Sequence, residues 1–191
     1  MNAPAEPNIE IRPLTQISLK TLREIIVGYT TQEVFSVSKT ESDDQIEFKL
    51  KLKPLTEPFT NPWQPDEEDM PGYRDAFQQG TCLAAFFGKK IVGVAIAECR
   101  EWNKALWVWE FHVHPDYHRR GIGWLMMEEM VDLAKEKGMR VLVCETQNTN
   151  VTAIRFYRAM GFTMDGVDLS YYSNEDYRKD SVAVFMKRAI T

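Results

Sequence analysis

HPDYHRRGIGW, residues 114–124, carries a strand into a helix through two glycines and two arginines, and the elements on either side of it define the fold. Glycine at 121 and 123 removes side chains where backbone amides must approach a ligand, and free amides at a helix start attract anions. Arg119 and Arg120 add charge, so a pyrophosphate is the natural occupant. The alternative is a tight turn with solvated arginines, and for an isolated G-x-G that alternative would prevail; the surrounding order of elements shifts the balance. Two other phosphate motifs are absent: the P-loop, G-x-x-x-x-G-K-S/T, and the dinucleotide fingerprint, G-x-G-x-x-G after an early strand.

Working outward, residues 106–114 (LWVWEFHVH) are aromatic and β-branched, which predicts a strand leading into the loop. Before it, TCLAAFF at 81–87 and IVGVAIAECR at 91–100 predict a hairpin turning at Gly88. After the loop, Ile122, Leu125, Met126, Met130, Leu133 and Ala134 recur every three or four residues up to Gly138, the spacing of an amphipathic helix with a glycine stop. RVLVCETQ at 140–147 reads as a buried strand, 151–160 as a second helix closed by Gly161, and Phe162 onward and 181–187 as two further strands. This order predicts an α/β fold, a mixed sheet of about seven strands covered by helices.

The front of the chain is less regular. Residues 9–15 alternate like a short strand, and 18–29 carry apolar residues at helical spacing with Ser18 as a cap. IEFKLKL within 45–52 alternates apolar and charged residues, a strand with one wet face. The span 54–71, with five prolines and the run Asp66-Glu67-Glu68-Asp69, reads as loop.

With 191 residues, 44% of them hydrophobic, the chain suits one domain. Its net charge of −5 and the lack of a basic cluster argue against nucleic acid as a partner. No run approaches the roughly 18 apolar residues that cross a bilayer, and residues 1–13 have no secretory pattern, so a soluble, cytoplasmic protein without a membrane partner is expected. The three cysteines, Cys82, Cys99 and Cys144, lack metal-type spacing and read as reduced core thiols.

The segment His118-Arg119-Arg120-Gly121-Ile122-Gly123 resembles the acyl-coenzyme A signature Gln/Arg-x-x-Gly-x-Gly/Ala of the GNAT superfamily of N-acetyltransferases, with His in the first position. The likeness continues through VLVCETQ and NTNVTAIRFYRAMGF, which resembles the family's asparagine ahead of a helix ending F-Y-x-x-x-G-F. Within the family, the ETQ-N-x-N and F-Y-x-x-x-G-F pair, the acidic stretch and the EWN at 101–103 are most similar to the streptothricin acetyltransferases. The resemblance implies acetyl-coenzyme A as co-substrate and an amine of a small cationic molecule, a streptothricin-type antibiotic, as acceptor. Residues 1–80 would then be the variable acceptor-side half of the domain and 81–191 the acetyl-coenzyme A half. A polyamine or a protein amine is the alternative acceptor, and a non-catalytic acetyl-coenzyme A sensor is the reading from another class.

By the same resemblance, the backbone of Phe111, His112 and Val113 would hold the thioester carbonyl, and His118 to Trp124 would cradle the cofactor. Asn150 would contact the pantetheine arm, cap the helix at Val151, or do both. Tyr157 stands like the family tyrosine that protonates the departing thiolate, against the ordinary reading of a core tyrosine. Glu110 interrupts an apolar strand, and a carboxylate there is costly to bury unless partnered, so it should face a cavity. In the family's terms it would draw the ammonium proton or bind the cationic substrate, and the alternative is a structural salt bridge.

Glu145, with Asp165 and Asp168, would add carboxylates for a polycationic acceptor. Trp109 would supply an aromatic wall, although the tryptophans at 102, 107, 109 and 124 read more simply as core. His112 and His114 would share a strand face, too few ligands for a metal. Family members are often dimers, and no apolar stripe in the sequence decides for or against a homodimer.

Overall fold

The computed structural model describes residues 8–191. The sequence reading of 1–13 as lacking a secretory pattern falls partly on residues 1–7, which lie outside the described residues. Seven strands form one mixed sheet in the order β1-β4-β5-β6-β7-β9-β8, and a separate two-stranded sheet holds β2 and β3. The strands are β1 (Ile9–Pro13), β2 (Tyr29–Glu41), β3 (Ile46–Asn61), β4 (Leu83–Phe87), β5 (Lys90–Arg100), β6 (Ala105–Val113), β7 (Val141–Gln147), β8 (Thr163–Asp168) and β9 (Ala183–Ala189). The helices are α1 (Leu19–Ile25), α2 (Met70–Gln78), α3 (Ile122–Glu136) and α4 (Val151–Ala159). From residue 81 onward the order of elements is the one the periodicity predicts. Among the described residues no helix is long and apolar enough to cross a membrane.

Contacts group the chain into two compact units. The first contains residues up to Val27, Trp63–Leu142 and Ala189–Thr191. In it β1, β4, β5 and β6 pair antiparallel. Leu22, Ile25, Ile26, Met70, Tyr73, Phe77, Val94 and Ile96 share a buried cluster, so the apolar faces of α1 and α2 are satisfied on the sheet. Gly93 explains how α3 comes so close to β5. A Cβ at that position would stand 2.7 Å from the Met126 sulfur and 3.2 Å from the His112 carbonyl oxygen. Along β6 the register shifts, Ile96 opposing Glu110 and Ala97 opposing Val108, which leaves Trp109 as an extra residue in a β-bulge.

The second unit contains Gly28–Pro62 and Val143–Arg188. Its hairpin of β2 and β3 differs from the sequence reading in two ways. Strand β2 was not anticipated, and β3 continues through Asn61, so 54–61 is strand where the prolines suggested loop. Among the described residues strand β3 pairs only with β2, and its register jumps from Phe59–Thr31 to Pro54–Glu33, so Pro58 falls in a bulge and neither proline interrupts a central strand. Ile46 and Phe48 are 59% and 46% exposed, so the alternating stretch is wet on both faces, not one. Val34 and Val37 bury the β2 side, Glu33 pairs with Arg155 of α4 at 2.7 Å, and the Arg158 guanidinium lies 5.3 Å from the Phe35 ring. At the root of the hairpin Gly28 adopts φ +72°, and a Cβ there would meet the Asn61 carbonyl oxygen at 2.0 Å.

Two further boundaries moved. Helix α1 stops at Ile25, short of Tyr29, and Met70–Gln78 is a helix where its first two residues had been read as the end of a loop. All three cysteines are free, with Cys82 and Cys144 buried and Cys99 half-buried, so only two are core thiols. Burial pushes the Cys82 thiol up to about 11.

Candidate active site

In the first unit the glycine-arginine loop has a specific scaffold. A single 3-10 turn, Pro115–Tyr117, follows β6, and the His114 Nδ1 accepts the Asp116 amide at its start (3.2 Å). His118 turns back, its Nε2–H donating to the Val113 carbonyl at 2.7 Å. The side chain at the first signature position therefore ties the loop to the end of β6. Arg119 is left-handed at φ +62° and Gly121 at φ +77°. A Cβ at Gly121 would touch nothing within 4 Å, so this glycine is required by its backbone angle and not by crowding.

Gly121 is the N-cap of α3 and offers no side-chain acceptor. The amides of Ile122, Gly123 and Trp124 have no partner within the helix, and the positive end of a 15-residue helix dipole stands at the same point. Arg120 donates to the Asp116 carbonyl (3.1 Å), and its guanidinium lies 5.0 Å from the Tyr117 ring, with the Lys90 ammonium 5.2 Å from the same ring. The uncapped amides, with Arg119 and Arg120 in the loop that leads into them, fit the pyrophosphate of a coenzyme A. The Ile122 side chain is buried in the core, so only its amide can serve a ligand.

Glu110 sits beside the β6 bulge, 8% exposed. Its Oε1 accepts the Tyr73 hydroxyl at 2.7 Å, and its Oε2 stands 2.9 Å from the His112 Nε2. The carboxylate is thus partnered by a phenol and an imidazole, and the His112 contact is a salt bridge when that imidazole is protonated, so the salt-bridge reading stands beside the functional one. Burial and then the charge of Glu110 push the Tyr73 phenol far up, so it remains a donor. Trp109 lies 40% exposed with its ring against Gly72 and edge-on to Tyr73 (6.2 Å).

The remaining tryptophans do not behave as core. Trp102 and Trp124 are 85% and 51% exposed, and Trp107 lies under the Arg100 guanidinium, 3.6 Å from its ring. His112 and His114 have separate partners, Glu110 and Asp116.

In the second unit Asn150 caps α4, its side-chain oxygen accepting the Ala153 amide at 3.2 Å. Replacing it with Ala should cost about 1 kcal/mol of stability, read by thermal unfolding, while Asn150→Asp keeps the cap oxygen and stability. A rise in KM for acetyl-coenzyme A in the Asp variant would mark the lost amide donor as a cofactor contact. Tyr157 is buried between Phe156 and Phe162, 5.6 and 5.5 Å between ring centres, and its hydroxyl is hydrogen-bonded to the Cys144 thiol.

Glu145 accepts the Tyr172 hydroxyl, and burial followed by Glu145 itself pushes that phenol far up. Asp176 Oδ2 holds the loop that presents Tyr172, accepting the amides of Tyr172 and Ser173 at 2.7 and 3.0 Å. Two residues along β7, Gln147 Oε1 accepts from Tyr29 (2.5 Å) and from Asn61 (2.6 Å), and the Tyr29 hydroxyl also meets Thr149 at 2.6 Å. Asp165 and Asp168 do not join Glu145. They lie on β8, separated from β7 by β9, where Asp165 accepts from Thr163 and Asp168 from the Ser170 amide. Sequence reading missed Tyr73, Tyr172 and the Tyr29–Gln147–Asn61 cluster, because a tyrosine in an irregular stretch carries no periodic signal.

Residues 51–162 match the Acetyltransferase (GNAT) family. The chain belongs to that family, and it is an acyl-coenzyme A-dependent N-acetyltransferase. It is 31% identical to a streptothricin acetyltransferase of Streptomyces lavendulae over 145 residues, 76% of each chain. It is 33% identical over 70 residues to the ribosomal protein bS18-alanine N-acetyltransferase of Escherichia coli strain K12, but that stretch is only 37% of this chain and 47% of the other. In three dimensions it is similar to nourseothricin acetyltransferase, with a TM-score of 0.75, 24% identity and 96% and 99% of the two chains covered. A Bacillus anthracis protein described as a streptothricin acetyltransferase, solved with acetyl coenzyme A, superposes with a TM-score of 0.72 at 22% identity, covering 97% and 99%.

Proposed function

We propose that the protein transfers the acetyl group of acetyl-coenzyme A to a primary amine of a streptothricin-type antibiotic, and so confers resistance to it. The observation that carries this reading is the sequence similarity to the Streptomyces enzyme, which runs through 76% of both chains, whereas the bS18-alanine enzyme matches in sequence over less than half of either. Carboxylates held by tyrosines in each unit, Glu110 by Tyr73 and Glu145 by Tyr172, support a cationic acceptor.

Acetyl-coenzyme A supplies the thioester to be cleaved. The α3 amides with Arg119 and Arg120 bind its pyrophosphate, and the backbone from Phe111 to Val113 orients the carbonyl. Glu110 takes the proton of the acceptor ammonium, because only a neutral amine attacks. Tyr157 gives its hydroxyl proton to the thiolate that departs as the C–S bond breaks, and the second proton that the nitrogen sheds on becoming an amide restores the phenol. Glu145 and the face of Trp109 bind remaining positive groups of the acceptor.

The test is thiol release from acetyl-coenzyme A against streptothricin, an aminoglycoside, spermidine and a peptide amine. Turnover with streptothricin in preference to the others is the expected result. Preference for the peptide would transfer the reading to a protein amine, and cofactor binding without turnover on any acceptor would favour a sensor.

A further inference from the structure

Glu110 is held by two donors from two different elements, and only one of them stands near it in sequence. His112 is two residues away on β6 and reaches Oε2. Tyr73 comes from α2, 37 residues earlier, and reaches Oε1. An ionised carboxylate only accepts, so the imidazole facing it carries its proton on Nε2. With one bond at each oxygen the group cannot turn about its terminal torsion, and one lone pair of each oxygen remains for a substrate proton.

Helix α2 is itself fixed against the bulge. A Cβ at Gly72 would stand 2.6 Å from the Trp109 ring, so α2 and β6 touch there without room for a methyl group, and the Tyr73 ring meets Trp109 edge-on. Tyr73 is 2% exposed, so its hydroxyl is buried together with the carboxylate it faces. Three contacts at one bulge therefore couple the place of α2 to the direction of the carboxylate.

We propose that Tyr73 is a positioning residue for Glu110: its buried hydroxyl, opposite His112, aims the carboxylate at the acceptor ammonium. The inference rests on the reading of Glu110 as proton acceptor. Tyr73→Phe keeps the ring, the contact with Trp109 and the packing of α2, and removes only the donor. It should lower kcat on the order of tenfold, since small misplacements of a reacting group are costly, with KM for acetyl-coenzyme A unchanged. A purely structural tyrosine would change thermal stability without this kcat-against-KM split.

The decisive measurement is a double-mutant cycle with Glu110→Gln, read in kcat. Tyr73→Phe should cost nothing further once Glu110 has lost its charge. Losses that simply multiply would overturn the proposal, as would full activity of Tyr73→Phe beside a crippled Glu110→Gln. Full activity of Glu110→Gln would instead remove the proton-acceptor reading, and the positioning role with it.

Discussion

Glu110→Gln is expected to lower kcat by about 10²- to 10³-fold, the range of a lost general base, with KM for acetyl-coenzyme A unchanged. The substitution is clean for a structural reason. Gln has the same shape, its carbonyl can accept the Tyr73 hydroxyl, and its amide can donate to His112 in the other imidazole tautomer. No buried partner is orphaned, and thermal unfolding should hardly change. Steady-state kinetics then separate two roles. A fall in kcat marks an interaction needed in the transition state, whereas a rise in acceptor KM at constant kcat marks a carboxylate that merely anchors the cation. An unchanged kcat/KM would reduce Glu110 to a structural group.

The parts of the molecule that were legible in sequence are those whose cause is local. Strands β4 to β6, the α3 period and the Gly138 stop follow from side-chain spacing within a dozen residues. The signature loop was legible as well, since its anion affinity comes from backbone amides and one left-handed glycine. Helix α2 was lost although it carries start and stop signals: Asp69 stands at the N-cap, Pro71 in the first turn, and Gly80 follows at φ +67°. The five prolines around it outweighed those signals.

The hairpin failed for another reason. Its prolines are tolerated because β3 has a free edge and a bulge, and that is a property of the sheet and not of the segment. The tyrosine partners of Glu110 and Glu145 were illegible in principle. Tyr73 lies 37 residues from Glu110 and Tyr172 lies 27 from Glu145, so only the fold brings them together. Glu110 itself could be singled out because a charge inside an apolar strand is costly wherever its partner comes from.

Tyr157→Phe is expected to reduce kcat by about 10²-fold while leaving both KM values and thermal stability nearly unchanged. The ring makes its contacts with Phe156 and Phe162 through carbon, and those survive the substitution. The hydroxyl loses its hydrogen bond to Cys144, a weak partner. Burial pushes the Cys144 thiol well up, against the opposite pull of the Tyr157 hydroxyl, so the sulfur stays protonated and does not compete as a nucleophile. A tyrosine kept only for packing would therefore be replaced by phenylalanine without kinetic consequence. If the hydroxyl instead supplies the proton for the departing thiolate, the phenylalanine enzyme must expel an unprotonated thiolate, and the deficit falls on kcat alone. Pre-steady-state thiol release checks which of the two holds: a slowed chemical step with intact cofactor binding supports the proton donor, and an unchanged one returns Tyr157 to the core.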